Sequence, residues 1–176
     1  MSEIILNTEQ KQFVDLALAR TGDVVLTGAA GSGKTTTQQY FLSEALKKSF
    51  PVDFGKTYKH HKYLKQGAPA ILILSFTRTA VENIRRHLPY QELKDNCMTI
   101  HKVLEFMPVE KIKYDAALDR EYTVMTFEPS RDATNRLPPL HTIVIEEASM
   151  VSEELFDQFR VALPNSPQII FLGDLS

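Results

Sequence analysis

Several things are scarce in this sequence, and each scarcity removes a class of protein. Cys97 is the only cysteine, so no internal disulfide or cysteine-rich metal site can form, and a reducing, cytosol-like compartment is the default expectation. No apolar run approaches the roughly 18 to 20 residues of a membrane span. The nearest is the short stretch 70–74. The opening residues, MSEIILNTEQ, lack the basic start and apolar centre of a secretory signal. Net charge is almost absent, with 20 Lys and Arg against 22 Asp and Glu, so global charge announces no polyanionic partner. Internal repeats and low-complexity tracts are missing as well. What is present is 176 residues with 43% apolar and 24% charged content, the size and balance of one ordinary globular domain.

The pattern along the chain indicates alternating strands and helices. Residues 8–20 carry a helical stripe of Phe13, Leu16 and Ala17, capped by Asn7 or Thr8. Residues 23–27 (DVVLT), 70–75 (AILILS), 142–145 (TIVI) and 168–172 (QIIFL) are short apolar runs of strand length. Helical patterns are predicted over 34–50, 79–88, 99–106 and 153–163. Strands apolar on both faces and alternating with helices imply an α/β domain, a parallel sheet with helices on both faces. Two segments exceed ordinary connections. Residues 107–139 contain four prolines and one strand-like run, EYTVMTF at 121–127. Residues 51–67 belong to a stretch with no acidic residue between Asp53 and Glu82, in which Lys56, Lys59, Lys62, Lys65 and Arg78 alternate with Tyr58, His60, His61 and Tyr63. Composition reads this as a solvated basic loop, and a phosphate track is the alternative.

The sharpest motif is Gly28-Ala29-Ala30-Gly31-Ser32-Gly33-Lys34-Thr35, followed by Thr36, which matches G-x-x-x-x-G-K-[ST] at every fixed position. It follows a predicted strand and opens a predicted helix. Glycines allow successive backbone N–H groups to turn around phosphates, and the helix N-terminus adds positive potential. Lys34 would reach the β and γ phosphates and Thr35 would ligate Mg²⁺. Such a loop requires acidic partners at a strand end, and Glu146-Glu147 directly follow 142–145. Glu146 is the candidate metal ligand, through water, and Glu147 the candidate base for the attacking water. ATP and Mg²⁺ are therefore the expected substrate and ion, and phosphoryl transfer to water the expected reaction.

Taken in order, Leu6-Asn-Thr-Glu-Gln10, the glycine-rich loop, 75–81 (SFTRTAV), 99–102 (TIHK), 145–150 (IEEASM) and 172–174 (LGD) resemble the motif series of superfamily 1 helicases, subclass B, of the RecD-like and Dda-like type. The resemblance spans essentially the whole chain. It implies a P-loop, RecA-like ATPase fold with a small β-hairpin insertion at about 107–139. It also implies that Gln10 reads the adenine ring and that Phe76, Thr77, Arg78 and Thr79 grip single-stranded DNA. Thr99, His101 and Lys102 would form a second DNA contact, and Asp174 would couple nucleotide state to the DNA track. Within the hairpin, Phe127 or Tyr122 would stand at the working end of a duplex wedge. Local readings compete at two positions: Phe76 reads equally as a core aromatic, and His101 as a structural histidine.

Departures from the pattern are Glu146, where an aspartate is usual, and Thr79, where many relatives carry lysine or glycine. The chain stops at Leu175-Ser176, before the glutamine that follows Leu-Gly-Asp in the family, so residues 1–176 are expected to be the first of two RecA-like domains. The resemblance implies a DNA helicase motor, 5′ to 3′ on single-stranded DNA, with replication or repair proteins as partners. Its location would be cytoplasmic or a viral or phage replication site, with no membrane. A superfamily 1 RNA helicase of viral type and an ATP-gated binding module without turnover are the alternatives.

Overall fold

A computed structural model describes residues 24–28 and 34–174. The predicted helix over 8–20 lies outside them. The element order is β1 (Val24–Gly28), α1 (Lys34–Lys48), β2 (Ile71–Ser75), α2 (Arg78–His87), α3 (Gln91–Lys94), β3 (Cys97–Thr99), α4 (Ile100–Val103), β4 (Met107–Asp115), β5 (Arg120–Glu128), β6 (Thr142–Ile145), a 3-10 turn (Ala148–Met150), α5 (Glu153–Val161) and β7 (Gln168–Asp174).

Five strands form one sheet in the order β1-β7-β6-β2-β3, and every neighbouring pair is parallel. The all-apolar strands are explained by burial on both faces. Successive side chains point to opposite sides. Leu72, Leu74, Ile143, Ile145 and Ile169 therefore join one core with Ile100, Val103, Leu155 and Phe159. Ile71, Ile73, Val144, Ile170 and Leu172 join the other with Phe41, Leu42, Ala45 and Val81. Polar faces would leave unsolvated groups in either layer, so the alternation usual for half-exposed strands is absent.

Three expectations change. The helix predicted over 99–106 is one turn, Ile100–Val103, preceded by β3. Cys97, Met98 and Thr99 extend because their backbones pair with Ile73, Leu74 and Ser75, a tertiary contact that local pattern does not encode. The short helix α3 was also outside the sequence reading. The insertion divides in two. Residues 107–128 form the antiparallel β4–β5 hairpin, whereas 129–139 return to the domain, with Arg131 and Leu137 buried and the Leu137 N–H donating to Ala162 O at 2.9 Å. β4 escaped prediction because Pro108 and alternating charges mask it. Pro108 is tolerated because it lies near the start of a two-stranded ribbon.

Candidate functional site

In open α/β sheets, ligands meet the chain beyond the carboxyl ends of the strands. Here that edge collects the chemically notable segments. β1 ends at Gly28, directly in register with Asp174 at the end of β7. The 15-residue helix α1 begins at Lys34. Lys34, Thr35 and Thr36 form the first turn of α1. Gln10, Ala29, Ala30, Gly31, Ser32 and Gly33 lie outside the described residues, and for Lys34, Thr35, Thr36 and Asp174 only the backbone is described.

At the end of β6 the Glu146 N–H donates to Leu74 O at 2.8 Å, extending the sheet by one residue and leaving Glu146 half-buried. Glu147 then adopts φ 53°, ψ 47°, the left-handed region, which costs a non-glycine residue about 1–2 kcal/mol. Its carbonyl accepts from Met150 N–H at 3.0 Å, and its side chain is exposed. Left-handed residues held against their preference tend to occur at working sites. Burial pushes the Cys97 thiol up to about 11, with Arg85 opposing the rise and Glu146 adding to it. Among the described residues no group of three or more His, Cys, Asp or Glu side chains converges on a metal position.

Next to this acidic corner, Ser75 and Thr99 lie in register, bringing the two expected DNA motifs side by side. Thr77 and Thr99 are the N-caps of α2 and α4, their Oγ1 atoms accepting from Ala80 N–H at 3.2 Å and Lys102 N–H at 3.1 Å. Each hydroxyl proton remains available to a further acceptor. Arg78 and Thr79 open α2 and are exposed. Phe76 is half-buried against the core and also meets His101 edge-on at 5.5 Å. His101 meets Phe106 at 4.7 Å, and Phe106 stacks near Phe127 at 6.0 Å. A row of four rings thus runs from the end of β2 to the hairpin.

The hairpin register separates the two wedge candidates, placing Phe127 far from the tip and Tyr122 close to it. Phe127 pairs with Pro108 near the base, and Tyr122 pairs with Lys113. The turn lies at 116–119, so Phe127 is remote from the tip. Its ring is 63% exposed and shares one face with Met125, Ile112 and Tyr114, also exposed.

Residues 51–69 are pinned rather than freely solvated. His61 is buried; its Nδ1 accepts from the N–H groups of Tyr63 and Leu64, both at 2.9 Å. Nε2 must then carry the proton and donate to Val103 O at 2.7 Å. Burial lowers the His61 pKa below its ordinary value. Glu105, itself at φ 51°, accepts from Lys62 N–H at 2.8 Å and from Arg131 Nε at 2.8 Å. Arg131, 1% exposed, also donates to Lys59 O and His60 O at 3.0 Å and to Arg136 O at 3.1 Å. His61, Glu105, Tyr63, Phe106 and Arg131 were missed as a group because they come from three distant segments and no local pattern links them.

Residues 10–176 match the AAA domain family. The chain belongs to that family. This AAA domain is also 25% identical over 177 aligned residues to the RecBCD enzyme subunit RecD of Mycobacterium tuberculosis, covering 94% of the chain and 25% of RecD. It is 30% identical to an uncharacterized protein of Acanthamoeba polyphaga mimivirus over 85% of the chain and 27% of that protein. Among solved structures, Pif1 helicase from Bacteroides in complex with ADP-AlF3 and ssDNA superimposes with a TM-score of 0.52 at 21% identity, covering 98% of the chain and 33% of that protein. At that identity the match shows the fold, a RecA-like P-loop domain. The AAA domain spans about a quarter of the length of the curated relatives it matches, and no helix among its described residues is long and apolar enough to cross a membrane.

Proposed function

We propose that residues 1–176 are the first RecA-like domain of an ATP-dependent DNA helicase that translocates 5′ to 3′ on single-stranded DNA. The observation that carries this reading is the grouping at one sheet edge. The Gly28 and Asp174 strand ends, the Glu146-Glu147 corner and the row Phe76–His101 adjoin across β1, β7, β6, β2 and β3. An NTP site and a strand-binding site on adjacent strand ends are what a motor needs to couple the two.

In this reading Gln10 holds the adenine, residues 28–36 wrap the phosphates, and Lys34 neutralises the β and γ oxygens. Mg²⁺, held by Thr35 and Glu146, would neutralise charge developing on the phosphates. Glu147 accepts a proton as the water oxygen bonds to the γ phosphorus and the bridge to the β phosphate breaks, giving ADP and phosphate. Asp174, opposite Gly28, senses the cleft. A second RecA-like domain elsewhere in the longer protein would supply the trans arginine, and the strand would lie on Phe76, Thr77, Arg78, Thr79, Thr99, His101 and Lys102. Replication or repair proteins are the expected partners.

The test is the ATPase rate of the full-length protein with and without single-stranded DNA, beside Lys34→Ala and Glu147→Gln. DNA-stimulated turnover that disappears in both variants supports the motor. ATP binding without turnover in the unmodified protein would refute it and favour a gated binding module, for which Glu146 in place of aspartate is the motivating departure.

A further inference from the structure

Among the lysines of residues 51–69, one is drawn against the proposed DNA track. Lys62 Nζ lies 5.5 Å from the centroid of Tyr63, and Lys102 Nζ lies 4.3 Å from the same centroid. The two ammonium groups come from segments far apart in sequence. One ring thus holds two ammonium groups, each attracted by the negative face of its quadrupole. The nearby carboxylate does not neutralise them, because Glu105 is taken up by Arg131 and by the Lys62 N–H. His61 beside them is held toward its neutral form by burial. Among the described residues, then, the corner carries unmatched positive charge.

The backbone that carries Lys62 is also pinned. Both neighbours of Lys62 in sequence are tied down: His61 is buried with both ring nitrogens engaged, and the Tyr63 N–H is bonded to His61 Nδ1. Arg131 fixes the carbonyls of Lys59 and His60. A merely solvated loop has no need of a buried guanidinium and a buried imidazole to set its height. Lys59 and Lys62 are both exposed, but of the two only Lys62 lies over a ring among the described residues.

We propose that Lys62, Tyr63 and Lys102 form a phosphate-binding corner for single-stranded nucleic acid, prolonging the strand path from Phe76 and His101 across α4 onto the loop 51–69. Lys62 and Lys102 bind phosphodiester oxygens, and the Tyr63 ring keeps both ammonium groups aimed at the strand. The assignment rests on the strand-binding reading above and adds residues to it.

The experiment measures binding of fluorescein-labelled oligo(dT) to the full-length protein by anisotropy over a salt series. Lys62→Gln should weaken binding roughly two- to fivefold at low salt, the worth of one exposed ion pair. It should also make the slope of log K against log salt shallower by about 0.7, the value for one phosphate contact on a single strand. Tyr63→Leu keeps apolar bulk but removes the ring, and should weaken binding in the same direction. Lys59→Gln, with the same loss of charge, should leave affinity and slope near those of the unmodified protein. If Lys62→Gln keeps the full slope while Phe76→Ala weakens binding, the corner is refuted and the strand-binding reading stands. Equal losses for Lys59→Gln and Lys62→Gln refute it too, since bulk loop charge would suffice. An unmodified protein that does not bind oligo(dT) refutes both.

Discussion

Replacing Arg131 by methionine gives the most direct test of what holds the site together. The guanidinium is 1% exposed and donates to one carboxylate and three backbone carbonyls. Methionine fills similar volume and restores none of those bonds. Breaking one side of a buried ion pair ordinarily costs about 3–5 kcal/mol, because the remaining charge is left without a partner. The Glu105 side chain retains 20% exposure, so some rehydration is available and the low end of that range is expected. For a domain of this size the low end corresponds to a fall in melting temperature of about 6–12 °C.

The loss should also be pH-dependent. Burial tends to raise the Glu105 pKa, but the Lys62 N–H and the Arg131 hydrogen bond outweigh it, and the group is held below 4.5. A depressed carboxylate stabilises the fold fully above its unfolded value, and that contribution is lost as pH falls through the folded value. The gap between the unmodified protein and Arg131→Met should therefore be full at neutral pH and narrow below 4.5. Urea denaturation at neutral and acid pH, with Glu105→Gln and the double variant completing a cycle, measures it. A loss under about 1 kcal/mol, the level of a surface pair, or a gap that does not change with pH, would refute the account of Arg131 and Glu105 as the anchor of the loop.

Other outcomes follow from single contacts. His61 is depressed below 6.5, chiefly by burial, so its neutral form supports the fold above that value. Hydrogen-exchange protection of the Tyr63 and Leu64 amides should fall, relative to Gly67, as pH drops through the lowered pKa, and constant protection would refute the acceptor role of Nδ1. Cys97, buried with its thiol pushed up to about 11, should resist a maleimide or disulfide reagent at neutral pH until the protein unfolds, and rapid labelling of the native protein would contradict its placement. Thr77→Ala should destabilise the protein by about 0.5–2 kcal/mol through loss of the α2 cap, with Thr77→Ser near neutral; equal stability of all three would remove the cap assignment. Because Phe127 lies near the hairpin base beside Phe106, Leu118→Asp at the turn should impair duplex unwinding by the full-length protein more than Phe127→Ala, and the reverse order in an unwinding assay would restore Phe127 as the working end.

The α/β class, four of the five strands of the parallel sheet, and the glycine-rich loop were legible without coordinates. The reason is physical: a strand buried on both faces must be apolar throughout, and a loop that cradles phosphates admits few residue types at few positions. Such constraints act on contiguous residues and leave contiguous signatures. The pair Glu146-Glu147 was readable for the same reason, since carboxylates directly after 142–145 can only lie at a strand end.

Other features depended on contacts between segments distant in the chain. β3 exists because Cys97–Thr99 finds a free backbone edge on β2, although three residues carry no periodic signal. The division of 107–139 into a hairpin and a returning segment was set by the register of β4 with β5 and by the burial of Arg131. The ring row from Phe76 to Phe127 joins three segments whose spacing in sequence has no regularity. Above all, composition reads the basic loop as solvated, with a phosphate track as the alternative, because composition carries no sign of contacts between segments. Only the imidazole of His61 seated on Val103 O, and the guanidinium of Arg131 beneath Lys59 and His60, decided that the loop is pinned. Hydrogen bonds across such distances leave no trace in local sequence, since each partner taken alone is an ordinary polar residue.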